Sequence, residues 1–396
     1  MSVRTGRSVR TAALGMAVAA GITATVCVAP ASARQAPPAP PHRATQQAMD
    51  AAVADGVPGV VGRAEDGGRV WNGDAGVADL RTGRERRAED RYRIGSITKT
   101  FVATVVLQLE AEGRLSLDDT VDHWLPGVVR GHGHDGTRIT LRQLLNHTSG
   151  IYSYTEDEDF GQRVFGTDFL RHRYDSYTPR QLTDIAMKHA PDFAPGASWH
   201  YSNTNFILAG MVIEKATGHS YATEIERRVL GPLGLRATSL PGTDARMPKP
   251  SGRAYSKLSE KTTGRTYDVT ALNPSVGGSA GEMVSDSADL NRFYRALLTG
   301  KLLPRRQLAE MTTTVPVGPD HPEGRYGLGL MTTTLPCGVA VWGHDGGIHG
   351  SSSMALTTKD GRHSLAFNFN NDWSGDGLAV VNAEFCGTAP TAKPVK

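Results

Sequence analysis

The residues of this chain best suited to chemistry are Ser96 and Lys99, a serine and a lysine one helical turn apart. An apolar run, Phe101 to Leu109, follows at once and predicts a buried helix over residues 96–112, ended by Gly113. The helix dipole and the loss of water both oppose a charged lysine in the first turn. A lysine with a lowered pKa can take the proton of a serine hydroxyl, which predicts a nucleophile for attack on a carbonyl. The alternative for Ser96 is an ordinary N-cap.

Two further motifs could serve the same reaction. Tyr201 and Asn203 precede a predicted helix. A phenol near Lys99 is expected to lose its proton more easily and could shuttle a proton, and the amide could orient the lysine and a substrate carbonyl. His344 and Asp345 end a predicted strand and are followed by two glycines. The alternative for Asn203 is that it only caps the helix. The alternative for the motif at His344 and Asp345 is a solvated Asp-Gly turn.

A rival nucleophile is Ser279, which lies in a Gly-x-Ser-x-Gly match over residues 277–281. In an α/β-hydrolase it would act with Asp345 and His363, which follow in the right chain order. Such a serine needs a buried apolar strand immediately before it, whereas residues 271–275 contain a proline and polar side chains. This context disfavours the rival.

A metal site is also disfavoured. His123, His132 and His134 lie close together in the sequence, but no acidic or cysteine partner has a suitable spacing. We therefore predict neither a metal nor a cofactor.

The first 33 residues have the features of a secretory signal peptide. Arg4, Arg7 and Arg10 precede an apolar stretch over residues 12–29, and an Ala-x-Ala cleavage site ends at Ala33. Removal of this segment leaves 40 basic and 40 acidic residues. The remaining chain is neutral and has no apolar run of about 18 residues, so we expect a secreted protein with no nucleic-acid partner and no membrane span.

Two cysteines, Cys337 and Cys386, remain after cleavage. In an oxidising compartment they predict an intramolecular disulfide. Two unpaired thiols are the alternative.

The remaining chain divides by its pattern into several parts. We expect a disordered arm at 34–42, an α/β lobe from 43–111 and 275–390, a mainly helical lobe at 112–274 and a short tail at 391–396. Strand patterns at 57–61, 69–77 and 91–94, and again at 326–333, 339–343, 352–358 and 363–369, indicate one antiparallel sheet flanked by helices, with the all-helical lobe inserted. The turn at 359–361 predicts a hairpin of the last two strands, helices are also predicted at 44–54 and 286–298, and the polar stretch at 131–137 is predicted to be a loop. The predicted fold is thus α/β, of the α+β type.

Taken together, the motifs at 96–99, 201–203 and 344–346 resemble those of the serine β-lactamase and penicillin-binding-protein superfamily. The segments 144–150, 203–211, 279–281 and 326–329 look like its secreted DD-carboxypeptidase/transpeptidase branch, which also has a disulfide where the two cysteines lie. The likeness spans residues 44–387 and implies a β-lactamase/transpeptidase-like fold.

The resemblance also implies roles for individual residues. Ser96 would attack the carbonyl of a D-amino-acid residue to form an acyl-enzyme, with Lys99 and Tyr201 moving the proton. The remaining roles would be positioning by Asn203 and His344, an oxyanion hole from the N–H groups of Ser96 and Gly347, and substrate contacts from Asp345, Gly346, Met331 and Phe160. The partners implied are peptides with D-amino acids and, as covalent inhibitors, β-lactams, and the expected state is a monomer.

Departures from the branch concern the substrate. The branch usually has hydroxyl residues at the positions of Asp345 and Gly347 and an arginine near Met331, which together hold a terminal carboxylate. An aspartate there would oppose that carboxylate. The leading hypothesis is a D-alanyl-D-alanine carboxypeptidase acting on cell-wall peptides, and the alternative is a D-stereospecific peptidase, amidase or esterase. A β-lactamase, which lacks an obvious deacylating carboxylate here, and a non-catalytic cell-wall binder are less favoured.

Overall fold

The computed structural model describes residues 42–259, 263–318 and 323–388. The predicted signal peptide, the predicted arm up to residue 41 and the predicted tail lie outside the described residues. Among the helices of the described part, none combines the length and the apolar character needed to cross a membrane.

The strands of the described residues are β1 (Gly59–Asp66), β2 (Arg69–Asp79), β3 (Arg84–Glu85), β4 (Tyr92–Arg93), β5 (Arg130–Gly131), β6 (His134–Asp135), β7 (Tyr255–Ser256), β8 (Tyr267–Asp268), β9 (Val284–Ser285), β10 (Val315–Pro316), β11 (Gly324–Tyr326), β12 (Met331–Thr334), β13 (Ala340–Ile348), β14 (Ser351–Thr358) and β15 (His363–Phe369).

The α-helices are α1 (Arg43–Ala54), α2 (Thr98–Ala111), α3 (Val121–Trp124), α4 (Leu141–Leu145), α5 (Glu158–Val164), α6 (Phe169–His172), α7 (Pro179–Ala186), α8 (Asn203–Thr217), α9 (Tyr221–Ile225), α10 (Gly231–Leu233), α11 (Ser287–Leu298), α12 (Arg305–Thr312) and α13 (Gly377–Cys386).

One antiparallel sheet, in the order β10-β11-β12-β13-β14-β15-β1-β2-β3, joins the two ends of the sequence. Because side chains alternate along a strand, the sheet buries both of its faces. On β1, Val61 joins the core that contains α2 and α11, whereas its neighbour Val60 joins the core beneath α1 and α13. The predicted single antiparallel sheet flanked by helices is confirmed.

Two local predictions differ from the structure. The predicted strand at 326–333 is divided into β11 and β12 by a turn, in which Gly329 has a φ of +66° and the N–H of Gly327 donates to Leu330 O at 2.7 Å. This φ lies outside the β region, and the chain turns here. The stretch at 131–137, predicted as loop, contains the short hairpin of β5 and β6.

The central helix α2 is buried on almost every side. Its Phe101 stacks on Phe293 of α11, with ring centroids 3.7 Å apart, and the same core continues into the helices between α2 and β9. The predicted helix start at Ser96 is replaced by a 3₁₀ turn over Gly95–Ile97, so the α-helix begins at Thr98. The core that contains α2 thus continues across the predicted lobe boundaries.

The outer face of the sheet is held by a disulfide and a buried carboxylate. Cys337, in the turn before β13, is bonded to Cys386 at the end of α13. Two residues earlier, the Glu384 carboxylate is 1% exposed and lies 2.7 Å from Thr45 Oγ1 and 2.7 Å from His363 Nε2. Burial alone would raise the pKa of Glu384, but bonds from His363, Thr45 and His42 hold that pKa below its usual value.

We expect Glu384→Gln to lower the free energy of unfolding at neutral pH by about 1–3 kcal/mol, because an amide cannot accept all of these bonds. A carboxyl whose pKa is depressed by folding stabilises above its unfolded-state pKa and loses this effect as the pH falls through its folded-state pKa. The loss should therefore shrink in acid, as urea unfolding at neutral and acidic pH would measure. Glu226→Gln, at an exposed glutamate, is the control. An equal loss at both pH values would contradict the assignment.

Candidate active site

Ser96 lies in the 3₁₀ turn that connects β4 to α2, and β13 passes directly against this turn. A Cβ on Gly346 would lie 1.9 Å from Ile94 O and 3.0 Å from Ser96 N. Gly95 has a φ of +50°, and a Cβ there would meet Gly347 O at 2.7 Å. The glycines therefore permit a close backbone approach, which brings Gly347 beside the turn that carries Ser96.

The Lys99 amine is fully buried and forms three polar contacts. Its Nζ lies 2.9 Å from Ser96 Oγ, 2.7 Å from Asn203 Oδ1 and 2.8 Å from Ala280 O. The oxygens of Asn203 and Ala280 can only accept hydrogen bonds. In a neutral amine, both N–H groups go to these two oxygens, and the nitrogen lone pair is left to accept the hydroxyl proton of Ser96.

Burial lowers the pKa of Lys99 well below its usual value, and the charge of Asp345 partly opposes this shift. The rings of Tyr201 and Phe206 lie over Nζ, with centroids at 4.8 and 5.6 Å. Because these rings and the helix exclude water, the neutral amine is favoured. The geometry and the lowered pKa together make Lys99 suited to act as a general base on Ser96.

Asn203, the first residue of α8, is held from its other side by the segment 153–155. Its Nδ2 donates to Thr155 Oγ1 at 3.0 Å, and its backbone N–H donates to Ser153 Oγ at 3.1 Å. These contacts direct the amide oxygen toward Lys99. The side chain thus orients the lysine and is not the N-cap of α8.

Burial raises the pKa of Tyr201 well above its usual value, and the neighbouring Ser96 hydroxyl opposes the shift only in part. The Tyr201 hydroxyl is buried and has no hydrogen bond of ordinary geometry within the described residues. The phenol is therefore protonated at neutral pH. This differs from the expectation that the lysine would make the phenol lose its proton more easily, because desolvation outweighs that effect.

His147, which follows α4, contacts Tyr201 and the residues on both sides of it. Its carbonyl accepts the N–H of His200 at 3.1 Å, its Nδ1 accepts the N–H of Ser202 at 3.1 Å, and its ring centroid lies 4.3 Å from that of Tyr201. Nδ1 also lies 3.2 Å from Asn205 Nδ2. Burial first, then the charge of Lys99, lowers the pKa of His147 well below its usual value, so Nδ1 stays available as an acceptor.

His344 is fully buried on β13, where Nε2 lies 2.8 Å from the Tyr326 hydroxyl and Nδ1 lies 2.6 Å from Asp345 O. Asp345 points to the other face of the strand and its side chain is 56% exposed. Desolvation would raise the pKa of Asp345, but His344 and, more weakly, Lys99 lower this pKa overall. Asp345 is therefore a carboxylate at neutral pH.

The cleft beside Ser96 has a volume of about 70 Å³ and also contains Asn203 and Gly347. Its apolar wall consists of Tyr154, Val164, Phe165, Val276 and Ile348. Asp345 and Gly346 line an adjoining groove of about 360 Å³, which shares Gly347 with the cleft.

Two predicted substrate contacts lie elsewhere. Phe160 is buried among Tyr154 and Tyr177 and does not line the cleft, because α5 turns it into the core. Phe165, just past the end of α5, lines the cleft instead. Met331 pairs with Gly343 on β12 and lines neither the cleft nor the groove.

The alternative catalytic site of Ser279, Asp345 and His363 is not formed in the structure. The Ser279 hydroxyl is buried and donates to Phe206 O at 2.8 Å, and His363 contacts Glu384 on the outer face of the sheet. Within the described ranges, no three His, Cys, Asp or Glu residues are grouped to hold a metal ion, and this includes the histidines at 123–134.

Several residues around the site had no role in the sequence-based prediction. The main ones are Ser153, Thr155, Ala280, His147 and Tyr326. Three of them, Ala280, His147 and Tyr326, stand in segments that resemble the superfamily, and this resemblance is the one signal that could have singled them out.

The chain is similar in sequence and in fold to several known proteins. The model of the family described as Beta-lactamase matches residues 43–380. The crystal structure of a D-stereospecific amidohydrolase from Streptomyces sp. is similar, with a TM-score of 0.85 and 64% identity over 88% of this chain and 100% of that chain. The structure of a D-amino acid amidase from Ochrobactrum anthropi SV3, complexed with D-phenylalanine, has a TM-score of 0.75 and 26% identity over 87% of this chain and 99% of that chain. Penicillin-binding protein 4* of Bacillus subtilis (strain 168) is 28% identical over 332 residues, which are 79% of this chain and 68% of the relative.

We expect acylation of Ser96 to slow as the pH falls through the depressed pKa of Lys99, because a protonated amine cannot accept the serine proton. Asp345 raises that pKa, so Asp345→Asn should move this acidic limb to lower pH. The measurement is the rate of covalent labelling by a fluorescent penicillin at a series of acidic and neutral pH values, which gives the acidic limb of the pH–rate profile. Asp372→Asn removes another carboxylate of the groove and should leave the limb unmoved. A limb that stays in place in Asp345→Asn would contradict the assignment.

His147 can be tested with two variants that separate its acceptor from its ring. Asn keeps an acceptor near Nδ1 and tolerates the φ of 62°, whereas Phe keeps a ring and leaves the buried N–H of Ser202 without a partner. We expect labelling of Ser96 to be about fivefold to a hundredfold slower in His147→Phe than in His147→Asn, since one lost buried bond costs about 1–3 kcal/mol. Labelling at saturating reagent, with urea unfolding as the control for stability, measures this. Equal rates would show that the acceptor is not needed.

Proposed function

Because the chain belongs to the beta-lactamase family and is a serine hydrolase of that fold, we propose that it hydrolyses amides of D-amino acids through an acyl-enzyme on Ser96. The observation that carries the proposal is the buried Lys99 amine, whose Nζ lies 2.9 Å from Ser96 Oγ and whose pKa is lowered by burial. The choice of substrate rests on Asp345, on the apolar cleft and on the similarity to the two amide hydrolases described above.

In the proposed reaction, Ser96 Oγ attacks the substrate carbonyl while its proton moves to Lys99. The N–H groups of Ser96 and Gly347 stabilise the oxyanion, and the loss of one such donor typically costs about a hundredfold or more in rate. Tyr201, which is protonated, gives a proton to the leaving amine and is reprotonated from Lys99. Water then attacks the acyl-enzyme and releases the D-amino acid. Asn203 and His344 are assigned positioning roles.

The charge of Asp345 supports an amide over a free acid. A substrate carboxylate about 4 Å from this carboxylate would be opposed by about 4 kcal/mol at an effective dielectric near 20. The pKa of Asp345 is lowered, so this repulsion persists at neutral pH. Gly347, which lines both the cleft and the groove, offers no hydroxyl that could bind a terminal carboxylate.

The cleft beside Ser96 supports an apolar acyl side chain. Phe165 and Val164 form one wall of it, and Val276 and Ile348 lie with them around Ser96. Burial of apolar area in such a cleft favours binding by roughly 25 cal/mol per Å². Aromatic or branched D-residues are therefore the proposed acyl groups.

A D-alanyl-D-alanine carboxypeptidase is the second candidate. It is favoured by the similarity to Penicillin-binding protein 4* and disfavoured by the carboxylate of Asp345. We propose in addition that the enzyme is exported, with cleavage after Ala33, on the composition of its first 33 residues.

The proposal is tested by comparing kcat/KM for D-phenylalanine amide, L-phenylalanine amide, and an N-acyl-D-alanyl-D-alanine as free acid and as amide. We expect hydrolysis of the D-amide, a clear preference over the L-amide, and preference for the dipeptide amide over its acid. Asp345→Asn should narrow the acid-to-amide gap by about tenfold or more, since it removes the repulsion. A wild-type preference for the free acid would favour the carboxypeptidase.

The nucleophile is tested with a matched pair of serine variants. Ser96→Ala should lose more than about a thousandfold in kcat and all covalent labelling by a fluorescent penicillin. Ser279→Ala removes the rival serine, which donates to Phe206 O, and should keep most of the activity. Loss of labelling in Ser279→Ala with labelling retained in Ser96→Ala would reverse the assignment.

A further inference from the structure

Two arginines are buried in the segment that leads to Ser96. Arg93 is on β4, three residues before the serine, and Arg86 follows β3. The Arg86 side chain is 1% exposed, and Arg93 is 2% exposed. Arginine stays protonated in proteins, so both guanidinium groups carry a buried positive charge.

The hydrogen bonds of these guanidinium groups are incomplete. Arg86 Nη2 donates to Asn368 Oδ1 at 3.0 Å, and Arg93 Nη2 donates to Ala245 O and Leu272 O, each at 3.1 Å. The Nε and Nη1 groups of both arginines are buried and have no hydrogen-bond partner in the part of the chain that the structure describes. Buried donors without a partner are rare in proteins and call for an acceptor.

Their charges are also incompletely balanced. Asp90 is 3.7 Å from Arg86 Nε, but the same carboxylate is bound by Arg84 at 3.2 Å, so one negative charge serves two positive ones. No described carboxylate lies within 4 Å of Arg93. Burial lowers the pKa of both arginines to about 10, and Asp90 opposes the shift for Arg86, as Asp244 does for Arg93. A buried charge that lacks a full partner is destabilising.

A small cavity lies between these side chains. Its volume is about 20 Å³, which is room for one particle about the size of a water molecule. Arg86 and Arg93 line it together with Arg91 and Arg253, and the other lining residues are uncharged. The cavity therefore has four cationic residues in its wall and no carboxylate, although Arg253 is paired with Asp268 outside it.

We propose that this cavity binds one small monatomic anion, of which chloride is the common example, between Arg86 and Arg93. The free Nε–H and Nη1–H groups would donate to it. A water molecule could accept two of these bonds but would leave the charge unbalanced, and oxyanions such as sulfate or phosphate are too large for the volume. The bound anion would join β4 to the sheet through Asn368 and to the loop that contains Ala245.

The first test compares thermal unfolding of the whole protein in sodium chloride, in sodium bromide and in sodium gluconate at equal ionic strength. A ligand that binds only the folded state raises Tm as its concentration exceeds Kd. We expect a rise of about a few degrees that saturates with chloride and with bromide, and none beyond the general salt effect with gluconate. Identical curves in the three salts would overturn the proposal.

The second test places the ion. Arg93→Gln should abolish the chloride-specific rise in Tm, whereas Arg81→Gln, which removes the same charge from an exposed side chain, should keep it. Because Arg93→Gln could fail to fold, crystals of the unaltered protein soaked in sodium bromide give an independent measurement. Anomalous density between Arg86 and Arg93 is expected. The proposal would be overturned if the cavity showed no anomalous signal and therefore held only water. It would also be overturned if the chloride effect on Tm persisted in a folded Arg93→Gln protein.

Discussion

The desolvation of one amine is the constraint on which the rest of the site depends. Lys99 is in the first turn of α2, a helix that is buried on nearly all sides, and water cannot reach its Nζ. The surrounding protein compensates with three oxygen atoms from three separate segments, Ser96, Asn203 and Ala280. A fully exposed lysine at the same spacing would be charged and could not take a proton at neutral pH.

The second constraint is the close approach of backbones. The turn at Ser96 and the strand β13 touch because Gly95 and Gly346 have no side chains to separate them. The sheet that makes this contact joins β1 to β15, so the strands that support the serine come from both ends of the sequence. The tyrosine and the asparagine are added by α8 from the middle of the chain, where His147 and the segment 153–155 hold them. Each group beside Ser96 is thus held by a part of the chain distant from it in sequence.

The sequence-based prediction of the fold succeeded where periodicity was strong. The long strands β2, β14 and β15 and the helices α1, α2 and α11 were each recognisable from their apolar spacing, and the Lys359-Asp360-Gly361 turn indicated the last hairpin. Of β1, only the first three residues lie within the strand predicted at 57–61. It was less accurate where single backbone angles decide the structure, as at Gly329, whose positive φ divides β11 from β12. For the site, the residues with local motifs, Ser96 with Lys99 and Tyr201 with Asn203, are close together as their chemistry requires. Phe160 was misplaced because the rotation of α5 decides which aromatic ring faces the cleft, and that rotation is set by packing on Tyr154 and Tyr177.

By itself, the sequence determined the reactive pair, the two motifs that accompany it and the elements that carry them, because each is encoded over a few neighbouring residues. Only the tertiary structure decided the protonation states, since the pKa of Lys99 and that of Tyr201 depend on how completely distant segments exclude water from them. It also decided which face of β13 each residue occupies, so that His344 is buried against Tyr326 while Asp345 faces the groove. The exclusion of water from a group, and the face of a strand on which a residue lies, depend on contacts with many parts of the chain. No short stretch of sequence specifies those contacts.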